Sequence, residues 1–274
     1  MATDNRSVSR RARAPWLAGA AAGAALALLV GSALAGLLDP VSLLIVLGGA
    51  LAVTWATFST AGLRATARRT GEALRGDAGA DAEGLVPIFR RLARVQRSDG
   101  AQALERAAAT EDDPFLRRAI ALAVDADRGD ELEDTLTAEA RRQLAEGEAA
   151  RHVLLTLGKL CPAFGLMGTL LGLVLLLRSL AGSDFAALGS ALGLAVQTTL
   201  YGVILSNVVV VPLATKLQAH LAARALTLQM IIAGTLLLHR DEHPARVERA
   251  LRAYLGADGA EAPDARLHLV PRAA

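Results

Sequence analysis

Long uncharged runs alternate with one charge-rich block along the chain. Trp16 to Leu38, Pro40 to Leu63, Leu160 to Leu177 and Phe185 to Thr215 contain no Asp, Glu, Lys or Arg. A bilayer core about 30 Å thick needs roughly 20 apolar helical residues. The third run reaches that length once His152 to Gly158 are added, which brings Lys159 near the headgroups. The pattern predicts an all-α integral membrane protein with four transmembrane helices: TM1 at 16–38, TM2 at 40–63, TM3 at 152–177 and TM4 at 185–215. TM1 and TM2 are joined only at Asp39-Pro40, so they form a helical hairpin with Asp39 on the outer face. Arg178 to Asp184 separates TM3 from TM4.

The block between TM2 and TM3, residues 64–151, reads as short helices of a cytoplasmic helical domain. Gly76 to Gly84 is small and acidic, which predicts a loop. Val86 to Gln96 has helical apolar spacing at Val86, Phe89, Leu92, Ala93 and Val95. Gly100 breaks that helix and Ala101 to Ala109 resumes it. Asp113-Pro114 predicts an N-cap followed by a proline at the first helical position. Asp130 to Ala150 is rich in strong helix formers and is expected to run straight into TM3. Beyond Lys216 the apolar positions Leu217, Leu221, Leu226, Met230 and Ile231 alternate with Gln218, His220, Arg224 and Gln229. This predicts cytoplasmic C-terminal helices over 216–255, followed by a small, polar, disordered tail at 256–274.

Charge orients the spans. Residues 1–15 carry Arg6, Arg10, Arg11 and Arg13 against a single acid, Asp4, and Arg64, Arg68, Arg69 and Arg75 follow TM2. By the positive-inside rule both ends of the hairpin, and both chain termini, lie in the cytoplasm. Ser9-Arg10-Arg11 before an apolar run also mimics a twin-arginine signal. However, the run is long for a signal core, and a second span begins almost at once.

Composition narrows the chemistry. Net charge is +2, which gives no general case for nucleic-acid binding. The single cysteine, Cys161, excludes an internal disulfide, and the five histidines have no ligand spacing. No nucleophile–base set, phosphate loop or metal cluster points to an enzyme, and no cofactor is expected.

The remaining candidates are polar groups at membrane depth, which are costly unless they face a neighbour or a water-filled cavity. TM3 has Thr169 among Gly165, Gly168 and Gly172, and TM4 has Gln197, Thr198, Thr199, Ser206 and Asn207. They either hold helices together or line an ion path. Neither core holds a carboxylate, so in a channel a partner would have to bring the ion-carrying group. Pro162 and Pro212 interrupt the helix ladders near the cytoplasmic ends, as hinges or as fixed kinks.

Three separated blocks resemble one family. Cys161-Pro162-Ala163-Phe164-Gly165-Leu166-Met167-Gly168-Thr169-Leu170 resembles the PxFGMIGTL stretch of MotA-type flagellar stator subunits, in the MotA/TolQ/ExbB superfamily. Thr198-Thr199-Leu200-Tyr201-Gly202 with Leu205-Ser206-Asn207 and Val211-Pro212-Leu213-Ala214-Thr215-Lys216-Leu217 resembles that family's TTLYGxxLxNxxxxPxAxKL. Asp39 to Gly49 resembles its DPxSLLIVxGG. TolQ and ExbB proteins are expected to carry a glutamate in the helix matching TM4; this chain has none there, which favours the MotA branch.

The resemblance implies a stator subunit that converts transmembrane H+ or Na+ flow into rotor torque. It would sit in the bacterial inner membrane as a homo-oligomeric ring, expected to be a pentamer, in contact with lipid. The ring would surround a MotB-like single-span, peptidoglycan-binding partner whose aspartate takes the ion. Thr169, Thr198 and Thr199 would then line the path, and Pro162 and Pro212 would serve as hinges. Arg97-Ser98-Asp99-Gly100-Ala101-Gln102-Ala103-Leu104-Glu105 matches the family's RxxGxxxLE, so Arg97 and Glu105 would touch the rotor switch complex. The chain departs from the family at Ala233, where many members have a glutamate, and at Gln197, where an apolar residue is usual. A TolQ/ExbB-like energy-transducing subunit and a non-conducting scaffold are the alternatives.

Overall fold

The computed structural model describes residues 39–76, 80–181 and 185–256. The expected TM1, the N-terminal tail and residues 257–274 lie outside them. Among the described residues every regular element is helical: α1 (Pro40–Thr57), α2 (Thr60–Arg75), α3 (Ala80–Asp99), α4 (Ala101–Ala109), α5 (Pro114–Asp125), α6 (Gly129–Ala181), α7 (Phe185–Ile204), α8 (Val211–His239) and α9 (Pro244–Tyr254). Two turns are π-helical: Leu44–Gly48 inside α1, and Leu205–Val210 between α7 and α8.

Three described stretches are long and apolar enough to cross a membrane: Pro40–Thr57, Gly129–Leu180 and Ala187–His239. The second begins as a charged surface helix and ends as an apolar one with no break, as the strong helix formers before TM3 predict.

The chain divides into two units. Of the described residues, the first comprises those up to Ala50 with those from Cys161 to Ile204, and the second those from Leu51 to Leu160 with those from Leu205 onward. In the first, the opening turn of α1 is fixed by Asp39, whose carboxylate accepts from the Val41 and Ser42 amides while Pro40 needs no donor. Further along, α1 meets α6 at Gly49, where an added Cβ would fall 2.4 Å from the Phe164 ring.

The second unit holds the main core. Phe89 and Leu92 of α3, Phe115, Leu116 and Ile120 of α5, Leu136 of α6, Leu228, Met230, Ile231, Ile232 and Leu238 of α8, and Val247 and Leu251 of α9 are buried together. Each side chain of this size stabilises by about 1.5–3 kcal/mol on full burial. A smaller cluster joins Ala73 of α2, Ala150 and Leu154 of α6, and Ala214, Leu217 and Leu221 of α8.

The predicted Gly76–Gly84 loop is shorter than expected, because α3 already begins at Ala80. Ala82 and Leu85 bury against the core, and that burial extends the helix back through a stretch whose small, acidic composition reads as a loop.

Candidate functional site

The apolar halves of α6 and α7 meet along a seam of small residues. A Cβ added at Gly165 would lie 2.9 Å from the Thr198 carbonyl oxygen. At Gly168 it would lie 2.4 Å from Thr198 Cβ, and at Gly172 2.7 Å from the Ala191 carbonyl oxygen. From the other side, a Cβ at Gly202 would lie 2.7 Å from the Cys161 carbonyl and 3.2 Å from Pro162 Cα. Lipid tails are as apolar as leucine, so close backbone approach rather than hydrophobic burial holds such helices together. The glycines at 165, 168, 172 and 202 permit it.

The three threonines expected to line a path take different positions on this seam. Thr198 is fully buried, and its hydroxyl donates to the Leu194 and Ala195 carbonyls at 2.9 and 3.1 Å. It therefore fills the groove opened by Gly168. Thr199 is exposed, and its hydroxyl stands 3.5 Å from both the Gly165 carbonyl of α6 and the Ala195 carbonyl of its own helix. Thr169 is half-buried and donates to the Leu166 carbonyl at 2.6 Å. Gln197 is half-buried on α7.

This seam offers hydroxyls and carbonyls but no group that titrates near neutral pH. It can hydrogen-bond an incoming carboxylic acid or help to dehydrate a cation, but it cannot itself carry a proton. Among the described residues no group of His, Cys, Asp or Glu could hold a metal ion.

Tyr201 is a contact that the sequence did not single out: its hydroxyl oxygen accepts the Asp39 amide at 3.0 Å. The bond sets the start of α1 beside α7. Hydrogen bonds from Ser42, side chain first and then amide, hold the Asp39 carboxyl below the ordinary aspartate range.

The two prolines stand in different settings. Pro162 lies inside the uninterrupted α6. Pro212 sits in the first turn of α8, directly after the π-helical turn Leu205–Val210. π-Helical turns of this kind are common where a helix ladder changes register.

Arg97 lies in the last turn of α3 and Glu105 on α4, and both are exposed. Between them Gly100 adopts φ +82°, a left-handed backbone that side chains disfavour. The corner is tied down by Gln96, whose side-chain amide donates to the Leu238 carbonyl at 2.9 Å.

Asp113 caps α5 and also pairs with Arg224 of α8, at 2.5 and 3.2 Å. Burial pushes the Asp113 carboxyl up, but the Arg224 guanidinium and the Phe115 and Leu116 amides outweigh it and hold it below the ordinary range. Ala233, where many family members have a glutamate, is partly buried against the main core.

Comparison with known proteins gives one consistent result. Residues 107–230 match the MotA/TolQ/ExbB proton channel family. The chain is 30% identical over 230 residues to chemotaxis protein PomA of Vibrio alginolyticus, a match covering 84% of this chain and 89% of PomA. It is 32% identical over 171 residues to motility protein A of Borreliella burgdorferi, covering 62% of this chain and 65% of that protein's length. Among solved structures, the flagellar MotAB stator complex from Bacillus subtilis aligns with a TM-score of 0.75 at 26% identity, over 85% of this chain and 93% of that one. C. jejuni MotAB shares the fold at the same TM-score and 21% identity, over 86% of this chain and 93% of that one. The chain belongs to the MotA/TolQ/ExbB proton channel family, in its MotA-type flagellar stator branch.

Proposed function

We propose that this protein is a flagellar stator subunit that conducts H+ or Na+ across the inner membrane together with a MotB-like single-span partner, and turns the flow into torque on the rotor. The observation that carries the reading is the α6–α7 seam: close-packed by glycines, supplied with hydroxyls, and without a carboxylate of its own in either apolar run. Such a surface needs a second chain to bring the ion-carrying acid, and the MotAB complexes that share the fold are assemblies of two kinds of subunit.

In this reading the chain spans the membrane four times, at 16–38, 40–63, 152–177 and 185–215, with both termini cytoplasmic. Copies form a ring, a pentamer by family resemblance, around the partner's helices. The apolar side chains exposed on α6 and α7, among them Leu166, Leu170, Leu173, Val196 and Val203, face lipid or neighbouring copies. Thr199 and Thr169 border the path, and Thr198 sets its wall by filling the groove behind Thr199. Pro162 and Pro212 hinge the helices, and Arg97 and Glu105 meet the rotor. Exposed ion pairs are worth only about 0–1 kcal/mol each, which suits a contact that forms and releases on every step.

The test is complementation. A host strain lacking this chain and its partner is supplied with both, with one, or with the partner and a Thr199→Val variant of this chain. Swimming is expected with both chains only, and Thr199→Val is expected to slow it severalfold while the protein still inserts. Swimming with this chain alone, or none with both, would contradict the reading.

A further inference from the structure

Hydroxyl side chains on membrane helices usually bond back to a carbonyl of their own helix. Thr156, Thr169, Ser179, Ser190, Thr198 and Thr215 all do so. Ser206 does not. Its hydroxyl, buried in the π-helical turn Leu205–Val210, donates to the Gly158 carbonyl of α6 at 2.7 Å. That is the one carbonyl in this stretch of α6 whose ordinary helical donor is missing, because residue 162, four positions on, is a proline with no N–H. Gly158 and Ser206 are both buried, and a buried carbonyl left unsatisfied costs about 1–3 kcal/mol. An added Cβ at Gly158 would make only ordinary contacts, 3.4 Å from Val210 Cγ1 and 3.9 Å from Ser206 Oγ, so the hydroxyl and not the glycine singles out this crossing.

We propose that Ser206 is a positioning residue whose hydroxyl replaces the hydrogen bond that Pro162 removes, and so ties the π-helical turn ahead of Pro212 to the backbone of α6. The two irregular points of the helices are then joined by one exchangeable hydrogen bond. Motion at one changes the donor available to the other. The consequence for torque rests on the stator reading; the hydrogen-bond replacement does not.

The test is a double-mutant cycle on the full-length chain, extracted from its host's membranes in mild detergent, with thermal midpoint and swimming speed as readouts. Ser206→Ala is expected to lower the midpoint by about 2–4 °C and to slow swimming. Ser206→Thr keeps the donor and is expected to match the parent in both. In a Pro162→Ala background residue 162 supplies its own N–H to the Gly158 carbonyl, and Ser206→Ala is expected to shift the midpoint by less than about 1 °C. Equal shifts in the two backgrounds, or a Ser206→Thr variant as impaired as Ser206→Ala, would overturn the proposal. Should Ser206→Ala fail to accumulate, its recovery by Pro162→Ala supports the proposal and lack of recovery overturns it. If the parent chain drives no swimming, the stator reading fails while the thermal cycle still decides the hydrogen-bond replacement.

Discussion

Gly202 shows how much of the membrane seam rests on single residues. A Cβ added there would fall 2.7 Å from the Cys161 carbonyl oxygen, a backbone atom that cannot swing away. Gly202→Ala is therefore expected to destabilise the extracted protein by about 1–3 kcal/mol through overpacking, read as a lower thermal midpoint. Gly193→Ala, on the same helix, meets open space within the chain and is expected to leave the midpoint unchanged or slightly raised. Asp113 gives a second prediction at this scale. Its pKa lies below the unfolded value of 3.8, so its pairing with Arg224 and the α5 amides stabilises the fold above that pH, and the contribution is lost as pH falls through the folded value. Asp113→Ala is expected to cost about 1–3 kcal/mol at pH 7 and to flatten the acid end of the stability–pH curve. Half of this site was readable in advance. Asp113-Pro114 announces a cap because capping is local, whereas Arg224 stands 111 positions away and no local rule links them. The same holds for Tyr201 and Ser206: Ser206 is notable in the sequence as a polar group at membrane depth and Tyr201 is not, and only the fold reveals that Tyr201 accepts from the Asp39 amide and Ser206 donates to the orphaned Gly158 carbonyl.

Among the elements, the corner between α3 and α4 carries the surface charges of most interest. Gly100 at φ +82° turns the chain there, and Gln96 pins the end of α3 to α8. Gly100→Ala forces a side chain into the left-handed region and is expected to cost about 1 kcal/mol. It is also expected to slow swimming by disturbing the angle between Arg97 and Glu105. Arg97→Glu leaves the backbone alone and is expected to slow swimming without loss of membrane insertion, with partial recovery when a matching rotor acid is reversed. Unchanged swimming would remove Arg97 from the rotor surface. The elements were legible where periodicity and breakers agreed, as at Gly100 and through the uninterrupted α6. They were misjudged at Gly76–Gly84, where composition argued for a loop but Ala82 and Leu85 bury in the core and draw the helix out to Ala80. The π-helical turns at Leu44–Gly48 and Leu205–Val210 left no mark in the sequence pattern, because both lie inside long uncharged runs where a one-residue shift in register meets no charged position.

At the scale of the whole molecule, one unit holds the apolar core of α3, α5, α6, α8 and α9, and the other holds the uncharged α6–α7 seam. The seam has no acid in either apolar run, so in the proposed stator the ion is carried by a partner's carboxylate. The most direct measurement is to purify the protein gently from its own host's membranes and identify what accompanies it. The account predicts a single-span chain with an aspartate early in its helix and a peptidoglycan-binding domain. Isolation without any partner, or with one of the TolR/ExbD type, would contradict it.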